Sequence, residues 1–149
     1  MLRFVPRIAA VLLLVVAGTL APAAAEDRAF KASGEGFVNN SEMLGSGQAT
    51  HLGPTFLELS FGYDLSSGRF RPDGASLTSA NGDVLTFDFD AVDDYRFDME
   101  TGVVSRTVTF TGGTGRFQDA TGSADVMIVF DPGTAYQTFT FLIDGSIDY

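Results

Sequence analysis

The chain has 149 residues and no cysteine, and its 9 basic and 19 acidic residues give a formal net charge of −10. This length is enough for one domain. The acidic balance argues against nucleic acid and anionic membrane surfaces as partners, because binding to phosphates depends on clustered Lys and Arg. Without disulfides, an exported form of the chain has to be held together by a well-packed core.

The first 25 residues have the pattern of an export signal. Arg3 and Arg7 give a positive start, residues 8–20 form an apolar run too short for a typical membrane span, and small residues precede Glu26. We expect cleavage after Ala25, which leaves one β-domain over residues 26–149 with 7 basic and 19 acidic residues. The pattern places the protein in the bacterial periplasm or the medium, without stable membrane insertion after cleavage. An uncleaved N-terminal anchor is the alternative.

Short runs with period-two alternation and glycine-containing breaks predict an all-β domain. Within it, Pro72-Asp73-Gly74 is read as a break between strands, and Asn81-Gly82 as a type I′ hairpin turn. Eight strands in about 120 residues are typical of a single closed antiparallel, calycin-like barrel. The predicted strands cover residues 29–38, 42–49, 55–64, 75–79, 84–92, 103–111, 123–131 and 136–148.

Alternation also predicts which side chains point into the barrel. Such an apolar, aromatic interior, or its mouth, suits a small hydrophobic ligand. The alternative is a solid core in a structural or surface-interaction protein. The candidate ligand-lining residues are Leu57, Leu59, Phe61, Phe87, Phe89, Phe139 and Phe141.

The run Val126-Met127-Ile128-Val129-Phe130 is apolar on both faces. Its outer side is therefore expected to be covered. One candidate cover is a second subunit in a homo-oligomer, and the other is the chain's own loops.

A plug motif lies between two late strands. Gly112, Gly113 and Gly115 let the chain reverse tightly, Phe117 follows at once, and Gly122 begins the next strand. A large aromatic residue in such a polar turn is explained if one helical turn folds back and places the ring on the end of the barrel.

This Gly-Gly-x-Gly-x-Phe-x-x-Ala-x-Gly segment resembles the corresponding segment of the barrels of allene oxide cyclases and dirigent proteins. The stretch 45–53, with its Thr-His-Leu-Gly element, is similar to the second-strand region of bacterial secreted relatives. The resemblance implies an allene oxide cyclase-like barrel, a capacity to oligomerise and, as a further function, an isomerase or cyclase acting on a lipid-derived substrate. Plant cyclases are associated with a buried acid and a cysteine. This chain has no cysteine, and Glu58 alternates with the outward set, so no catalytic residue is assigned.

The other chemistry-bearing residues have plain structural explanations. His51 is the single histidine, and a structural hydrogen bond at a strand end is favoured over a role as a base. Arg106 shares a face with Val104 and Val108, and an outward or rim position is favoured over an inward one. Asp88 and Asp90 begin an acidic stretch without the spacing of a Ca²⁺ loop, and are read as the wet face of a strand. No cofactor or metal is expected.

Overall fold

The computed structural model describes residues 27–64, 69–90 and 101–149, without the side chains of residues 63–71. Each strand pairs antiparallel with the next one, and β8 pairs with β1, so the sheet closes into a barrel. The prediction of an all-β, eight-stranded antiparallel barrel is confirmed. The strands are β1 (Arg28–Asn39), β2 (Glu42–Ala49), β3 (Gly53–Asp64), β4 (Arg69–Ser79), β5 (Val84–Phe89), β6 (Val103–Gly113), β7 (Thr121–Phe130) and β8 (Thr138–Asp148).

The meander gives the barrel two different ends. The connections β2–β3, β4–β5 and β6–β7 lie at one end, together with the start of β1 and the end of β8. The β6–β7 connection contains the 3₁₀ turn Gly115–Phe117, so we call this the closed end. The connections β1–β2, β3–β4, β5–β6 and β7–β8 lie at the opposite end, where Pro132–Thr134 forms a second 3₁₀ turn.

The break predicted at Pro72-Asp73-Gly74 is wrong, because β4 runs through these residues. Ser60 pairs with Gly74 and Phe61 pairs with Pro72, so Asp73 is an extra residue in β4. Such a β-bulge accommodates turn-forming residues inside a strand and increases the local bend. The bulge extends β4 to Arg69, well before its predicted start.

The turn between β4 and β5 also differs from its prediction. A type I′ turn needs positive φ at both central residues, but only Gly82 of the pair has one, at 89°. The Gly82 amide donates to the Ser79 carbonyl oxygen at 2.9 Å, and the Ser79 amide donates to the Asp83 carbonyl oxygen at the same distance. This is a three-residue hairpin loop that ends on a left-handed glycine.

The start of β8 is the third difference. Ala135 and Tyr136 have φ values of 55° and 63°, which places both in the turn and starts the strand at Thr138. Residues 91 and 92, predicted to end β5, lie outside the described residues.

A single cluster of buried hydrophobic residues lies inside the barrel. It is built from the alternate, inward-facing residues of all eight strands, and edge-to-face rings connect opposite parts of the wall. Phe30 of β1 and Phe110 of β6 have ring centroids 5.1 Å apart, and Phe87 of β5 meets the same Phe110 ring at 6.3 Å.

Candidate functional site

The residues predicted to line a ligand cavity all lie on the inward face of the barrel. Six of them are at most 7% exposed, and Phe89 alone is half-buried. Their inward orientation agrees with the alternation of the sequence. Whether they contact a ligand stays a prediction. The buried six are Leu57, Leu59, Phe61, Phe87, Phe139 and Phe141.

The two phenylalanines of β8 occupy space that side chains of β1 would otherwise fill. A Cβ on Gly36 would stand 2.6 Å from Cζ of Phe139, and a Cβ on Gly34 would stand 2.7 Å from Cε1 of Phe141. On β2, a Cβ on Gly45 would lie 3.2 Å from the same Phe141 atom. The rings of β8 therefore rest directly on the backbone of two strands, and this part of the interior is filled.

Phe117 closes one end of the barrel, as the plug motif predicts. It is fully buried in its 3₁₀ turn, and its ring centroid lies 4.9 Å from that of Tyr149. The guanidinium of Arg28 lies over the other ring of this pair, 4.8 Å from the Tyr149 centroid. The turn itself is held by the amide of Ala120, which donates to the Phe117 carbonyl at 3.0 Å.

The plug is also tied to the neighbouring β4–β5 turn. Nε of Arg116 lies 3.5 Å from a carboxylate oxygen of Asp83, and Nδ2 of the Asn81 side chain donates to the same oxygen at 3.1 Å. Gly115 has a φ of 58°, and a Cβ there would collide with the Asp83 carboxylate. The glycine is thus needed for both its backbone angle and its lack of a side chain.

The other glycines of the motif make close backbone contacts. A Cβ on Gly112 (φ 102°) would lie 2.9 Å from the Gln118 carbonyl oxygen, and one on Gly122 (φ 125°) would strike that of Ser146. A Cβ on Gly113 would collide with the Val84 carbonyl oxygen. The glycines of the plug motif therefore let the β6–β7 connection press against its neighbours.

At the opposite end of the barrel, the described inward-facing side chains are less buried. Val38 and Phe89 face inward there and are half-buried. Arg106 lies near the start of β6 and shares the inward face with Val104 and Val108, which are 5% and 0% exposed. The outward position favoured for Arg106 is therefore wrong. Its half-buried side chain near the end of the barrel agrees with the rim position.

The remaining candidates take structural or solvent-facing positions. Nε2 of His51 is 3.0 Å from the Ala29 carbonyl oxygen, at the turn between β2 and β3, which is the structural hydrogen bond that was favoured. Glu58 is exposed between buried Leu57 and Leu59. Asp88 is exposed on the outer face of β5.

Two buried polar side chains lie in the described part of the barrel, and neither can act as an acid or base at neutral pH. Thr55 and Ser79 are 6% and 5% exposed, and they are register partners on β3 and β4. Ser79 donates to the Asp83 carbonyl oxygen at 3.0 Å. The hydroxyl of Thr55 has no hydrogen-bond partner among the described residues.

A groove with a volume of about 870 Å³ lies on the outside of the barrel, where β8, β1, β2 and β3 meet the β7–β8 turn. Its apolar lining consists of Phe37, Leu44, Phe56, Val129 and Pro132 together with the buried rings of Phe130 and Phe139. Phe139 is thus the one predicted ligand-lining residue that also borders the groove. Phe37 and Phe56 are 52% and 44% exposed, and because they border one groove they form a shared apolar patch. The groove is therefore a candidate ligand site on the described part of the barrel.

The strand register creates this groove. Phe37 pairs with Leu44 across β1 and β2, and Phe56 pairs with Ser46, the next outward residue of β2. Each of these apolar residues is an isolated outward position in its own strand. The sequence gives no separate signal for the groove, and it is visible only after the register of three strands is known.

A second exposed apolar pair lies beside the groove. Met127 and Leu142 are cross-strand partners on β7 and β8, 40% and 41% exposed. The prediction that the chain's own loops cover this face is wrong for Met127. The alternative, a subunit interface, stays a prediction.

Comparisons with family models, curated proteins and solved structures found no match to this chain. The described residues contain no helix with the length and hydropathy of a membrane span. The structure alone thus defines the class of fold, a closed, eight-stranded antiparallel β-barrel with a hydrophobic core rich in phenylalanine.

Proposed function

We propose that this protein is an exported, solid-cored barrel that binds a small apolar molecule in the groove on its outer surface. The observation that carries the proposal is the contrast between the two faces of the wall. Inward phenylalanines rest on strand backbone, whereas Phe37 and Phe56 are about half exposed around an open groove of about 870 Å³. This volume lies within the range of small-molecule sites.

The experiment is a titration of the folded, signal-free protein with an apolar fluorescent probe. Binding in the groove should be saturable and should be lost in the variant Phe37→Ser/Phe56→Ser, whose changes lie on the outer face. The variant Phe89→Trp narrows the barrel interior and should leave the affinity unchanged. Absence of saturable binding for several apolar probes would contradict the proposal.

A second candidate is binding of the ligand at the mouth formed by the opposite end. It is favoured by one observation, the partial burial of Val38, Phe89 and Arg106 on the inward face at this end. In that case the affinity should fall in Phe89→Trp and should persist in the groove variant.

Self-association through the outer face is the competing use of the same surface. Sedimentation velocity over a range of protein concentrations separates the two. If the protein forms a dimer and the variant Phe37→Ser/Phe56→Ser does not, the groove is occupied by a second copy of the chain and not by a small molecule.

We also propose that the barrel is of the allene oxide cyclase type. Support comes from the Gly-Gly-x-Gly-x-Phe segment, which connects the sixth and seventh strands and buries Phe117 in a 3₁₀ turn. The cyclase or isomerase activity is the weaker proposal, since the buried polar side chains of the described interior are Thr55 and Ser79.

A further inference from the structure

The charged residues that line the outer groove are all acidic. Glu35 and Asp131 contribute the charged side chains, and the lining contains no Lys, Arg or His. Glu58 stands next to the groove residue Leu44 in the strand register. The chain as a whole has a net charge of −10, so no excess of positive charge elsewhere offsets the negative charge of the groove.

Glu35 is the acidic strand residue that lines the groove together with the exposed rings. It precedes Phe37 on the same outward face of β1, and it lies in one cross-strand row with Ser46 and Phe56. Its side chain is exposed, and among the described residues its carboxylate forms no ion pair. A cation beside Glu35 would also be close to two aromatic rings, whose faces attract positive charge.

The nearest cation on the outer face of β1 is already engaged. Lys31 lies four residues before Glu35, or about 13 Å along an extended strand. Its Nζ is 3.0 Å from a carboxylate oxygen of Asp144 on β8. Among the described residues, the outer face of β1 therefore supplies no further positive side chain to neutralise Glu35.

We infer that the ligand of the groove is an apolar molecule with a positive charge, such as a lipophilic amine or quaternary ammonium compound, whose charge lies beside Glu35. This inference rests on the proposed function of the groove. The apolar body contacts Phe37 and Phe56, and the cation is attracted by the carboxylate and the ring faces. A fatty carboxylate of the same length places its charge in a negative field and binds more weakly.

Calorimetric titration with three probes of equal chain length tests the inference. The probes are decyltrimethylammonium, decanol and decanoate, each below its aggregation concentration. We expect the cation to bind most tightly and the carboxylate most weakly. Glu35→Gln should weaken binding of the cation roughly fivefold, the size of one exposed ion pair with a ring contribution, and leave decanol unchanged. Asp88→Asn, the same charge change on the remote face of β5, should affect neither.

The possible failures are distinguishable. Binding of decanol that is abolished in Phe37→Ser/Phe56→Ser would support the groove function. If, in that case, the cation binds no more tightly than decanol, or Glu35→Gln does not weaken binding of the cation, the inference is wrong and the groove function stands. If none of the probes binds, both are wrong. Added salt should weaken the binding of the cation but not the binding of decanol, because interactions between exposed charges are screened.

Discussion

The ring of Phe141 lies directly on the backbone of Gly34, with its Cε1 atom 2.7 Å from the position that a Cβ on this glycine would take. The same Cβ would strike the carbonyl oxygen of Ser46 on β2. The ring of Phe141 on β8 therefore fits into this position only because Gly34 on β1 has no side chain. This arrangement explains why the interior of an eight-stranded barrel is filled on this side.

Gly34→Ala tests this arrangement. The added methyl group meets backbone on one side and a buried ring on the other, so we expect a loss of about 1–3 kcal/mol in the free energy of unfolding. Gly74→Ala is the matched control, because a Cβ there has no neighbour within 4 Å. Urea denaturation of both variants measures the difference. Equal stabilities would mean that the wall has room at Gly34 and that the interior is not closely packed.

Phe117→Ala tests the plug at the closed end. Removal of a fully buried ring should lower the free energy of unfolding by about 3–5 kcal/mol. The same change at Phe37, which is 52% exposed, should have little effect on stability. Thermal and chemical denaturation of the two variants gives the comparison. A small effect at Phe117 would contradict its role as the seal of the barrel.

Gly115→Ala separates two reasons for a glycine in the plug. The substitution combines a left-handed backbone angle with a collision against Asp83. We expect it to destabilise the native protein more than it destabilises the Asp83→Ala variant, in which the collision is absent. The coupling in this double-mutant cycle should be about 1 kcal/mol. Strictly additive effects would leave backbone strain as the whole reason.

Thr55→Val addresses the buried hydroxyl that has no described partner. Replacement of an unsatisfied buried polar group by an apolar one of similar shape should raise the free energy of unfolding by about 1 kcal/mol. Ser79→Ala should act in the opposite direction, because its hydroxyl donates to the Asp83 carbonyl oxygen. A loss of stability in Thr55→Val would indicate instead that a buried water molecule satisfies the hydroxyl.

Alternation and turn chemistry were sufficient to predict the barrel and its inward face. A shift of one residue in register would turn every core side chain of a strand outward, so the alternating apolar residues strongly specify which face is buried. They failed where a local pattern has two structural uses. Pro72-Asp73-Gly74 has the composition of a turn, yet it forms a bulge inside β4. For Arg106, an outward or rim position was expected, and the structure places its half-buried side chain on the inward face near the end of the barrel.

The outer groove could not be predicted from the sequence at all. Phe37 and Phe56 are separated by 18 intervening residues, and each is flanked by polar or small outward neighbours on its own strand. Single exposed apolar residues are common and carry no functional information. Only the pairing of β1 with β2, and of β2 with β3, brings these residues around one cavity.

Amide chemical-shift mapping of a bound apolar probe on the folded protein distinguishes the outer groove from the barrel interior most directly. We expect decyltrimethylammonium to shift the amide resonances around Glu35, Phe37 and Phe56, and to leave those of the inward residues of β5 near their values in the free protein. Shifts confined to Phe61, Phe87 and Phe89 would contradict binding in the groove, because they would show that the ligand enters the barrel and that the core is not solid.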